Sequence, residues 1–110
     1  MRIRFLYSED CPSHDEALNR LRTVLDEEGI TADVEIIRVE TFEDAKRERF
    51  TGSPTILIDG HDIVPVPPDS HYAPACRTYV LEDGRFSPLP SVSMIRKAVR
   101  AAKGDLKNRR

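Results

Sequence analysis

The junction between an apolar run and the helix that follows it most constrains this chain. Ile3–Tyr7 is apolar enough, at the right length, for a short buried strand. It stops at the polar turn Ser8-Glu9-Asp10, and helical periodicity begins almost at once. Asp10 or Cys11 takes the cap region, and Pro12 suits the first helical position. Ala17, Leu18, Leu21, Val24 and Leu25 then recur at helical spacing, and Gly29 is a fitting stop. Cys11 therefore falls at a helix N-terminus, where unpaired N–H groups and the helix dipole favour the thiolate. The neighbouring carboxylates of Glu9 and Asp10 oppose that effect. A reactive but not strongly acidic thiol is one reading; a small buried apolar residue is the other.

The next run, residues 32–39, is rich in β-branched residues. Val34 and Ile36 face one way and Ile37 and Val39 the other, so burial on both faces is expected. Thr41 reads as an N-cap with Glu43 and Asp44 well placed in the first turn. Phe42, Ala45, Arg49 and Phe50 share one side of a short helix that ends by Thr51-Gly52. The order strand, helix, strand favours a parallel crossover. Residues 56–58 read as a buried strand with Pro54 at its entry, and Asp59-Gly60 is a strong hairpin signal leading into a return strand at 61–64. Four of the eight prolines then cluster in an irregular loop at 65–75. Residues 76–81 read as another strand, and 82–85 as a turn. Ser91 caps a last helix with Ile95, Ala98, Val99 and Ala102 on one face. Gly104 is expected to end it, leaving 105–110 as a frayed basic tail.

Length and charge narrow the classes. At 110 residues the chain makes one domain, 1–110, with room for a modest core. A formal charge of −2 gives no electrostatic basis for nucleic-acid binding. No apolar run approaches the roughly 18 residues that span a bilayer, so no membrane association is expected. Met1-Arg2-Ile3-Arg4 enters a strand directly, without the apolar core of a signal peptide, so a cytoplasmic location is expected. A permanent structural disulfide between the two cysteines is not expected in that compartment.

Cys-Pro at the start of a helix, after an N-terminal strand, resembles the active-site corner of thioredoxins and glutaredoxins. Gly52-Ser53-Pro54-Thr55, followed by apolar residues and Asp-Gly, resembles the segment in which that superfamily carries a cis-proline facing the active-site cysteine. The resemblance covers residues 1–64 and extends to the last helix; the loop at 65–75 has no counterpart in the minimal fold. It implies an α/β thioredoxin-like three-layer sandwich, a central mixed sheet with helices on both faces. It also implies thiol–disulfide oxidoreductase activity with Cys11 as nucleophile and no cofactor. Pro12, Ser53, Pro54 and Thr55 would shape the substrate groove, an extended segment pairing with backbone groups of Ser53 or Thr55. The substrate would be a protein disulfide or a small thiol or disulfide. The sequence departs from the family pattern at one point: the second cysteine of Cys-x-x-Cys is missing and His14 stands in its place.

That departure makes Cys76 and His14 the residues to locate. The 59–60 turn brings the chain back toward the Cys11 end of the sheet, so Cys76 is a candidate resolving thiol; the rival placement puts it at the far end of its strand. His14, one turn after Cys11, can exchange protons during thiol exchange or sit as an exposed first-turn residue, where the dipole disfavours its cation. Arg77 and Tyr79 share a strand face and either line the groove or pack. A non-catalytic alternative keeps the fold as a binding module for a partner, a thiol ligand or a soft metal. A metal would use Cys11 and His14, completed by Cys76 and His71 or His61.

Overall fold

A computed structural model describes residues 1–9, 14–64 and 77–108, with side chains to residue 104. Strand β1 is Ile3–Tyr7, helix α1 His14–Glu27 and strand β2 Val34–Arg38. β2 runs parallel to β1, with Ile3 opposite Val34 and Tyr7 opposite Arg38, so α1 is the crossover between them. α1 buries Ala17, Leu21, Val24 and Leu25 of the predicted stripe, and its fifth member, Leu18, is only partly buried against the same core. The helix closes on Gly29, whose φ of +67° lies in the left-handed region. The Gly29 N–H bonds the Asp26 carbonyl and the Ile30 N–H bonds that of Leu25, which satisfies two terminal carbonyls in a Schellman motif.

Helix α2, Phe42–Glu48, is capped as Thr41 predicts: the Thr41 hydroxyl accepts from the Asp44 N–H at 3.0 Å. Arg49 ends it in a left-handed conformation. Strand β3, Thr55–Ile58, pairs antiparallel to β1, and β4, His61–Asp62, pairs antiparallel to β3. Asp59 and Gly60 both have positive φ, the geometry of a tight primed hairpin turn. The sheet order is β2-β1-β3-β4. Tyr79–Val80 (β5) and Phe86–Ser87 (β6) form a separate antiparallel pair. Helix α3 is Val92–Asn108, with the Ser91 hydroxyl accepting from the Met94 N–H.

Alternation along β1 sorts the core into two clusters. Ile3 and Phe5 pack with Ile56, Ile58, α1 and, through Ile95 and Val99, α3. Leu6 packs on the other side with Val39, Ala45 and Phe50. Among the described residues the chain is thus a small α/β protein with a mixed sheet and three helices, and the two clusters put helices against both faces.

Four expectations need correction. Ile36 is exposed, because β2 is an edge strand, with a neighbour on one side only. Phe42 is exposed as well: it is the first helical residue, and Leu6, Val39, Ala45 and Phe50 close the cluster without it. β4 and β5 are shorter than the runs expected at 61–64 and 76–81, since Asp62 and Leu81 turn the chain locally. Gly104 does not end α3, which continues to Asn108; its backbone stays out of the left-handed region that a glycine stop would use.

Candidate functional site at the C-terminal end of β1

The register fixes which residues meet. Leu6 is opposite Thr55 and Ile3 is opposite Ile58, so the entry to β3 lies at the C-terminal end of β1. The Ile63 N–H bonds the Ile56 carbonyl, so the hairpin returns its chain to that same end. There β1 leaves through Ser8, which is buried, and Glu9, whose carboxylate pairs with Arg38 at 2.9 Å. The His14 ring stacks on Tyr7 with centroids 4.6 Å apart, and its Nε2 lies 3.4 Å from an Asp15 carboxylate oxygen. His14 is therefore docked back on the strand end rather than extended into solvent.

Ser53, Pro54 and Thr55 come together there and are all buried, and the Ser53–Pro54 peptide bond is cis. Their polar groups are largely engaged from within the chain. The Thr55 hydroxyl donates to the Gly52 carbonyl. The Arg77 N–H donates to the Ser53 carbonyl at 2.9 Å. The Tyr79 hydroxyl donates to the Pro54 carbonyl at 2.5 Å. Burial pushes the Tyr79 hydroxyl pKa well up, with Arg77 opposing and Asp62 reinforcing the shift, so the phenol keeps the proton it donates. Ser53 Oγ is buried and has no hydrogen-bond partner among the described residues.

Arg77 is the hub. Its guanidinium donates to Asp62 at 2.6 Å and to the Val64 carbonyl at 3.1 Å, and it lies 4.6 Å over the Tyr79 ring. Only 10% of the Arg77 side chain and 13% of the Asp62 side chain are exposed. Gly52 has no side chain for a reason: a Cβ there would lie 2.8 Å from the Arg77 Cβ. Asp62 carried no signal in the sequence. A carboxylate two residues past a turn reads as a solvated hairpin residue, and its burial depends on an arginine across a long loop.

Cys11, Pro12, Cys76 and His71 lie outside the described residues. Cys11 and Pro12 fall between Glu9 and His14 in sequence and Cys76 precedes Arg77, and those three described residues are at or next to this end of the sheet. His61 is not: it pairs with Ile58 at the turn end of the hairpin, four strand residues from Tyr7, roughly 13 Å along β1. The metal set that uses His61 with His14 is therefore excluded. Among the described residues, no group of three or more His, Cys, Asp or Glu side chains converges on a point. Among them, too, no helix is long and apolar enough to cross a membrane.

No family model, no curated protein and no solved structure matches this chain.

Proposed function

We propose that the chain is a thioredoxin-like domain acting as a thiol–disulfide oxidoreductase, with Cys11 as nucleophile. The observation that supports this reading is topological. The parallel β1–α1–β2 crossover and the antiparallel β3 put the chain entering the Cys11 turn, the Gly52–Thr55 turn and Arg77, next in sequence to Cys76, at one end of the sheet. In that arrangement the Cys11 thiolate attacks one sulfur of a disulfide. The S–S bond breaks, a mixed disulfide forms on Cys11, and the departing thiolate takes a proton. A second thiol, Cys76 or an external monothiol such as glutathione, then attacks the Cys11 sulfur and releases the remaining half as a thiol. When Cys76 resolves, a dithiol or two monothiols then reduce the Cys11–Cys76 disulfide; when an external monothiol resolves, a second monothiol restores Cys11, so the two electrons come from external thiols in either case. In this reading His14, whose ring stacks on Tyr7, exchanges the proton of the leaving group.

The test is reduction of a model disulfide with glutathione or dithiothreitol as electron source. Wild-type protein is expected to accelerate it and Cys11→Ser to lose the acceleration. Equal rates for the two proteins would leave the binding-module reading.

A further inference from the structure

We infer that the chain's own Arg77 segment occupies the strand-pairing position at the Ser53–Pro54 turn, so that the site accepts low-molecular-weight disulfides and excludes extended peptides. The inference rests on the oxidoreductase reading and names the substrate class within it.

A peptide that binds as an added strand needs unpaired backbone groups on a strand edge. At this site the carbonyls of Ser53 and Pro54 are already engaged from within the chain. β3 has β1 on one side, where Thr55 is opposite Leu6, and the returning hairpin on the other, where β4 pairs Leu57 and Ile58 and the Ile63 N–H bonds the Ile56 carbonyl. The carbonyl just before Pro54 belongs to Ser53, and the Arg77 N–H already fills it. The Pro54 carbonyl is filled by the Tyr79 hydroxyl. The intruding segment is also locked. Arg77 is tied to Asp62 and to the Val64 carbonyl, and its backbone is pressed so closely on Gly52 that a methyl group would not fit between them. An incoming strand would have to break the Arg77 backbone bond and unseat a largely buried ion pair. A small disulfide needs neither step: it requires access to one sulfur and no backbone register.

The experiment compares bis(2-hydroxyethyl) disulfide with insulin as substrates of the full chain, dithiothreitol supplying the electrons. The Cys11→Ser rate is subtracted as background. Insulin is expected to be reduced at least about tenfold more slowly per enzyme than the small disulfide, a discrimination of about 1.4 kcal/mol. Loosening the lock is expected to narrow that ratio. Asp62→Asn does so by releasing the guanidinium, and Tyr79→Phe, a milder change, removes only the bond to the Pro54 carbonyl. Comparable rates for both substrates in the wild-type protein would overturn the inference while leaving Cys11 as the nucleophile. A ratio unchanged in both variants would also overturn it. If neither substrate were reduced above the Cys11→Ser background, the oxidoreductase reading would fall and this inference with it.

Discussion

Replacing Asp62 by Asn removes one charge from the Arg77 clamp and almost nothing else. The amide is close to isosteric, and its oxygen can still accept from the Val64 N–H, as the Asp62 carboxylate does at 3.0 Å. What changes is that the guanidinium, with 10% of its side chain exposed, loses its counter-charge. Orphaning one partner of a fully buried pair costs about 3–5 kcal/mol, because the remaining charge stays desolvated. Residual exposure of both side chains lets water reach the site, so the expected loss is about 2–3 kcal/mol. A domain of this size has about 5–15 kcal/mol of stability, so the variant folds but forfeits a large share. In urea unfolding at pH 7 the midpoint is expected to fall by about 1–2 M with the slope unchanged. Arg77→Met removes the other partner and orphans the carboxylate instead. The double variant leaves no unpaired charge. It should therefore lose little more than either single change, a coupling of about 1–2 kcal/mol. An Asp62→Asn midpoint within about 0.2 M of wild type, or strictly additive losses, would show that the pair is solvated and the clamp is not a structural element.

Two further outcomes follow from the same contacts. Gly52→Ala places a methyl carbon 2.8 Å from the Arg77 Cβ and 2.9 Å from its Cα. Backbone must separate, at a cost of about 1–3 kcal/mol, and a melting temperature within about 1 °C of wild type would refute the close approach. Among the described residues, three carboxyl groups have a folded pKa below the ordinary one and so contribute to acid stability. Glu28 is lowered first by its hydrogen bond from Arg100, Asp44 by the Glu40 N–H, and Glu82 by the Ser91 hydroxyl. Their contribution is present above the ordinary values, 4.5 for Glu and 3.8 for Asp, and is lost as pH falls through the lower folded values. Thermal midpoints should be flat above about pH 5 and fall below about pH 4.5, less steeply for Glu28→Gln; a midpoint that rises on acidification would contradict this assignment.

What the sequence disclosed was local. The Ile3–Tyr7 run, the α1 stripe, the Thr41 and Ser91 caps and the Asp59-Gly60 turn each depend on a few neighbouring residues, and each stands where its pattern puts it. The misplacements depend on the other half of a contact. Ile36 and Phe42 are apolar and in phase with their elements, but burial needs a partner surface, and an edge strand or a first helical turn lacks one. Gly104 has the composition of a helix stop, but helical bonding continues past it. The clamp was the least legible part. Arg77 and Tyr79 were visible as a strand face, while their partners Asp62, Val64 and Pro54 sit on another hairpin, across residues 65–76. Pairing at that separation leaves no periodicity to read.

The two-cysteine form of the proposal, in which Cys76 resolves the mixed disulfide on Cys11, is tested most directly by intact mass after alkylation. Protein purified without reductant is mildly oxidised, alkylated, and compared with a reduced and alkylated sample. The account predicts that oxidation removes two alkylation sites together and that peptide mapping recovers an intramolecular Cys11–Cys76 disulfide. Two thiols that stay alkylatable after oxidation, or a disulfide found only between chains, would contradict it.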